Sequence, residues 1–186
     1  MVKIIEGDFN NHDADILEAN VANNNMFPWY FLPSPVTPKY PCVSHVIIPR
    51  YDYETNTGFK INSDMHKMIY PMMEKIFKKH KIKVKRILRG QVNFTWFNEG
   101  KHSDPHWDHD FPHDVFIYYI NSFSKGSTYI YKETYNDKKP KKIVKEIKAK
   151  KGRYAIYPGE NFHAAGFVGK PEEVRMACVY TFERKK

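Results

Sequence analysis

Apolar and polar positions follow two different rhythms in this chain, and the change between them divides it. From Asn62 to His80 the apolar residues Met65, Met68, Ile69, Met72, Met73, Ile76 and Phe77 recur at helical spacing with Lys and Glu between them, which predicts an amphipathic helix. Ser63 and Asp64 supply its N-cap, and Pro71 is expected to kink it or divide it in two. After residue 81 the rhythm becomes alternating, the mark of half-buried strands. Ile82 to Leu88 and Gln91 to Phe97 read as successive strands. In the second, Val92, Phe94 and Trp96 share one face while Asn93, Thr95 and Phe97 share the other. The apolar run Val115 to Ile120 is a buried strand. Further strands are expected over 127–132, 143–149, 153–157 and 174–183, the last closing the sheet.

Ahead of residue 62, Val2 to Glu6 reads as an opening strand, Asp13 to Asn23 as a short helix and Cys42 to Pro49 as a strand. His45 in that strand is expected to be structural. The stretch MFPWYFLPSPVTPKYP, rich in aromatics and prolines, is expected to pack irregularly over the core. At least eight short strands preceded by helices predict a mainly β fold with supporting helices, a double-stranded β-helix (jelly roll, cupin-like). One domain over 1–186 is the economical division, with 1–80 a helical and irregular support region and 81–186 a β core.

Composition narrows the class. The 186 residues are 41% hydrophobic and 16% aromatic, enough for a substantial core. The longest apolar run is six residues, far short of a membrane span, and MVKIIEGD turns acidic too early for a secretory signal. A cytoplasmic protein is expected, with Cys42 and Cys178 reduced. The charge of +9 admits an acidic partner. Much of it falls in one predicted hairpin carrying Lys138, Lys139, Lys141, Lys142, Lys145, Lys148, Lys150 and Lys151. An edge protected by charge is favoured there over a nucleic-acid ridge, since the run has no interleaved aromatics.

The chemistry concentrates in KHSDPHWDHDFPHDVFIYYIN, 101–121, which holds four histidines and four aspartates. Imidazoles and carboxylates at this density point to a metal. The histidines recur at helix-like intervals, but Pro105 and Pro112 oppose a helix. In an extended segment His106 and Asp108 share a face, roughly 7 Å apart along the backbone. A third ligand is available in His163, which follows a predicted strand and a Pro-Gly turn. Two histidines and one carboxylate leave coordination positions open, which suits a non-haem Fe(II) oxygenase. Arg175, twelve residues on in the apolar segment RMACVYTF, needs an anionic partner if buried, and a guanidinium can hold a carboxylate in bidentate fashion.

These motifs together resemble the 2-oxoglutarate- and Fe(II)-dependent dioxygenases, in the branch similar to prolyl 4-hydroxylases and their small phage and bacterial relatives. The resemblance runs from about Arg89 to Phe182 through WFNEGKHSDPHWDHD, VFIYYIN, GSTYIYKE, KKGRYAIYPGENFHAAGF and RMACVYTF. It implies that His106, Asp108 and His163 bind iron, that Arg175 binds the distal carboxylate of 2-oxoglutarate, and that Tyr119 helps hold the same group. His102 and Asp104 form a second HxD. The later pair is favoured because the proline before His106 and the interval from Phe97 match the family layout. Phe97 stands where relatives often have tyrosine, and Ala177 where many have serine. The implied activity is hydroxylation of a substrate with O2, releasing succinate and CO2. A protein or peptide acceptor, a prolyl side chain by analogy, is favoured over nucleic acid. A nucleic-acid-acting oxygenase and a non-catalytic cupin-like module are the alternatives. The cytoplasm is the expected location, the host's if the chain is phage-encoded.

Overall fold

The structure is a computed structural model that describes residues 2–33, 36–50 and 60–185. Its strands are β1 (Ile5–Asp8), β2 (Tyr30–Leu32), β3 (Cys42–Ile48), β4 (Val84–Trp96), β5 (Asp114–Tyr119), β6 (Thr128–Thr134), β7 (Ile143–Ile147), β8 (Arg153–Pro158), β9 (Asn161–Ala165) and β10 (Val174–Arg184). Two helices, α1 (Asn11–Val21) and α2 (Met65–Lys79), join them. The strands form a seven-stranded sheet in the order β1-β8-β5-β10-β4-β3-β2 and a three-stranded sheet in the order β7-β6-β9. All the pairings are antiparallel. The fold is the expected jelly roll with helices on one outer face.

Alternation within the strands explains the layering. On β5 and β10, Phe116, Tyr118, Met176, Cys178, Tyr180 and Phe182 point to the helix side. There they pack with Ile69, Met73, Ile76 and Phe77 of α2 and Leu17 of α1. The methionine stripe is thus core. The opposite side chains, Val115, Ile117, Tyr119 and Ala177, meet Ile130 and Ile147 of the small sheet. Buried on both faces, β5 reads as a continuous apolar run.

Three expectations are corrected. Arg89-Gly90 does not break the chain into two strands: β4 runs straight through it. Gly90 lies opposite Tyr180, and a Cβ there would come within 2.5 Å of the tyrosine ring. This glycine admits an aromatic neighbour rather than making a turn. Pro71 does not divide α2; it lies on the exposed face, where water can satisfy the carbonyl its missing N–H leaves free. β10 does not close the sheet at an edge but sits at its middle, between β5 and β4.

Smaller expectations fare better. Asn10 caps α1 by accepting from the Asp13 amide at 2.8 Å, whereas at α2 it is Ser63 rather than Asp64 that accepts a main-chain bond, from Met65 at 3.2 Å. His45 is satisfied by the Pro28 carbonyl and Ser63 Oγ at 2.9 and 2.7 Å. Within the aromatic and proline-rich stretch, β2 pairs with β3, a short strand the sequence did not reveal. Both cysteines are free and buried. Among the described residues, no helix is long and apolar enough to cross a membrane.

Candidate active site

His106 lies outside the named strands and His163 within one, and backbone pairing brings the two motifs together. β9, which the sequence reading missed, carries His163 and pairs with β6. The extended segment around His106 then adds to β9's free edge. The His106 amide donates to the His163 carbonyl at 2.9 Å, and the His163 amide returns the bond at 2.8 Å. A second bridge joins His102 to Gly166. The 57-residue separation between the two histidines is thereby closed by backbone hydrogen bonds, which fix position more tightly than side-chain packing alone.

One ligand atom from each of His106, Asp108 and His163 lies within 4.8 Å of the others. The Nδ1 of His163 donates to the Asn161 carbonyl at 3.1 Å, and that of His106 to the Asp104 carbonyl at 3.2 Å. Each bond occupies Nδ1 and leaves Nε2 as the ring nitrogen that can face a metal, the arrangement expected of metal-ligating histidines. Burial, reinforced by neighbouring His163, lowers the His106 pKa to about 4, so its ring is neutral and available at neutral pH. Burial alone would raise Asp108. Contact with His163, Nε2 to Oδ2 at 3.5 Å, together with the charge of Arg89, holds it well below the ordinary carboxylate range. Two imidazoles and one carboxylate therefore converge, a donor set that fits a divalent first-row metal.

Asp104 stands apart from this cluster and accepts a bond from Thr37 Oγ1 at 3.1 Å. His102 is held by the Ser103 carbonyl and by the Tyr131 hydroxyl at 2.7 and 3.1 Å. His109 bonds to Thr181, His66 to Tyr180 and His80 to Tyr154.

The three ligands and Arg175 line a single cavity of about 340 Å³. Arg175 is buried, 3% exposed. Its Nε donates to the Gly126 carbonyl and its Nη2 to Thr128 Oγ1, each at 3.1 Å. Among the described residues no carboxylate reaches it. A desolvated guanidinium with unused donors facing a cavity is a standing site for an anion. Tyr119 is fully buried behind it, with the guanidinium 5.3 Å from its ring centre. Tyr119 donates to the Ile147 carbonyl at 3.2 Å and meets Thr128 Oγ1 at 2.6 Å. The only consistent direction runs from Arg175 to Thr128 to Tyr119 to that carbonyl, so the phenol orients Thr128, which lines the cavity.

Sequence reading missed the polar wall that continues from Arg175 along the neighbouring strand. Arg89, Gln91, Asn93 and Thr95 alternate along β4 and all line the cavity. Gln91 Nε2 donates to Asn93 Oδ1 at 2.7 Å. The signal was present in the alternation, but the Gly90 break concealed its first member.

No protein-family model matches the chain, and no curated protein sequence does. Solved structures do. An oxidoreductase of the 2OG-Fe(II) oxygenase family from Burkholderia pseudomallei superposes with a TM-score of 0.68 at 14% identity, covering 98% of this chain and 86% of that one. The non-haem α-ketoglutarate-dependent epimerase SnoN of nogalamycin biosynthesis gives 0.67 at 10% identity over 97% and 78%. A Pseudomonas putida prolyl-4-hydroxylase gives 0.61 at 10% identity over 100% and 94%. The resemblance read from the motifs thus extends to the architecture: the chain has the jelly-roll fold of the 2OG-Fe(II) oxygenases.

Proposed function

We propose that the protein is an Fe(II)- and 2-oxoglutarate-dependent dioxygenase that hydroxylates a substrate, a protein or peptide side chain being the favoured class, in the cytoplasm. One observation carries this reading: the His106, Asp108 and His163 ligand atoms share one cavity with a buried Arg175 that has no carboxylate partner among the described residues. A structural ion pair would account for a buried arginine; none is present among the described residues to do so. In this reading the three side chains hold the iron and Arg175 binds the distal carboxylate of 2-oxoglutarate. Thr128 and Tyr119 hold the guanidinium in line. When bound, iron, 2-oxoglutarate and dioxygen supply the oxidation, with succinate and CO2 as products and a substrate C–H converted to C–OH.

The chain's own contribution is geometry and dryness. The Nδ1 bonds keep both imidazoles in one orientation, the Gly126 carbonyl and Thr128 aim the guanidinium, and Trp107 and Phe167 line the cavity with apolar surface that limits water. The same fold carries an epimerase, so hydroxylation as the outcome rests on the comparison with prolyl hydroxylases. A nucleic-acid substrate gains little from the lysine-rich hairpin, because Lys145, Lys150 and Lys151 pair with Glu6, Asp8, Asp15 and Glu18 of the same chain. Succinate formation from 2-oxoglutarate without added substrate tests the reading. Wild type and Asp104→Ala should form it and Asp108→Ala should not; equal rates in all three would refute the assignment.

A further inference from the structure

The cavity has a second cationic end. Arg50 and Arg89 both line it alongside the triad. Arg50 Nη1 donates to the main-chain carbonyl of Asp108 at 2.7 Å. Arg89 Nη1 lies 3.4 Å from Asp108 Oδ1, and its Nη2 donates to Gln91 Oε1. Each guanidinium has five N–H donors, so most of those on the pair are unused among the described residues. Among the described residues Asp108 is the only acidic side chain on the cavity wall, and in the reading above its charge is committed to a metal. Two like charges therefore share Asp108 with the metal site, and among the described residues no second carboxylate lines the cavity to balance them. Burial lowers the Arg89 pKa, Asp108 opposes that shift, and Arg50 adds to it.

This end is separate from the one that Arg175 serves. Across the β4–β10 ladder, Arg175 lies opposite Thr95 and Arg89 opposite Thr181. The two levels are six positions apart on β4, roughly 20 Å of strand, with Gln91 and Asn93 between them. A five-carbon diacid held by Arg175 and by a metal at the triad leaves the Arg89 level free. Arg50 is exposed, so this end opens to solvent, where a substrate would enter.

We propose that Arg50 and Arg89 form an anion-binding subsite, so that the substrate carries a phosphate or carboxylate group that docks on this pair while the bond to be oxidised faces the triad. The proposal rests on the oxygenase reading for the triad and Arg175, and it goes beyond that reading by naming the substrate's charge. Guanidinium pairs are suited to such oxygens, since each can present two parallel donors.

The test uses the protein loaded with nickel(II), which is redox-inert here, and saturating 2-oxoglutarate. Inorganic phosphate and acetate are titrated separately at fixed ionic strength. Binding is followed by calorimetry and by the fluorescence of Trp96 and Trp107, which line the same cavity. Saturable binding of one anion is expected, weakened at least about tenfold in Arg50→Gln and in Arg89→Gln and unaltered in the surface variant Lys141→Gln. Arg50→Gln is the cleaner of the two, because among the described residues the Arg50 side chain bonds to a main-chain carbonyl and to no side chain; a thermal melt confirms that each variant is folded. Tighter phosphate binding identifies a phosphorylated substrate, and tighter acetate binding a carboxylate. No saturable binding of either anion, or binding undiminished in both arginine variants, overturns the subsite. Failure of Fe(II) and 2-oxoglutarate to bind is seen separately by visible absorption, and it would remove the oxygenase reading without touching the anion titration repeated on metal-free protein.

Discussion

The two faces of the seven-stranded sheet are built from the same strands and do opposite work. Towards the helices, β5 and β10 present Phe116, Tyr118, Cys178, Tyr180 and Phe182, all fully buried, and β4 adds Val92 to the same layer. Towards the small sheet the alternate positions of β4 and β10 present Arg89, Gln91, Asn93, Thr95 and Arg175 to the cavity. Stability is concentrated on one face and polar groups with unused bonding capacity on the other. A period of two makes this separation possible, because each strand assigns consecutive residues to different solvents.

The contrast can be broken from either side, and the largest effect is expected on the helix face. Phe116→Ala removes a fully buried ring packed near Phe77 and Tyr154. It should cost about 3–5 kcal/mol of stability in denaturant melts. On the cavity face the sign of the contrast reverses. Arg175→Gln should weaken 2-oxoglutarate binding by about 10- to 100-fold, as expected for loss of a charge-assisted contact, yet shift stability by less than about 1 kcal/mol, since no carboxylate among the described residues loses a partner. Calorimetry of binding beside a thermal melt of the same sample separates the two quantities.

The smallest effect belongs to the sheet's rim, where Glu183 is paired with Arg86 Nε at 2.5 Å and with Lys85 at 3.4 Å. Burial tends to raise its pKa, but these cations prevail and lower it below 4.5. A depressed carboxylate pKa contributes stability that is present above the ordinary value and lost as pH falls through the folded-state value. Glu183→Gln should therefore be about 1 kcal/mol less stable than wild type at pH 7, with the gap closing as the medium is acidified below about pH 4.5. A gap that stays constant with pH would mean the ion pair contributes nothing.

The sequence disclosed the helix face more fully than the cavity face. Spacing of apolar residues located α2 and the strands of the core, because burial imposes a period that can be read along the chain. HxD, His163 and Arg175 were also legible, since a charged or ligating side chain within an apolar segment has few structural explanations. What escaped were partners made by pairing rather than by pattern. β9 is short and holds polar Asn161 and His163, so it does not look like a strand until β6 and the His106 segment flank it. Thr128 gains its place only when Arg175 and Tyr119 arrive from other strands. Gly90 was misread because a glycine that accommodates Tyr180 and a glycine that makes a turn are the same letter.

Anaerobic addition of Fe(II) and 2-oxoglutarate, followed by visible absorption, tests most directly whether the two parts of the cavity form one site. The wild type should develop the metal-to-ligand charge-transfer band of a chelated 2-oxo acid, retained in Asp104→Ala and lost in His163→Ala and Asp108→Ala. Absence of the band in the wild type, or its persistence undiminished in His163→Ala, would contradict the account.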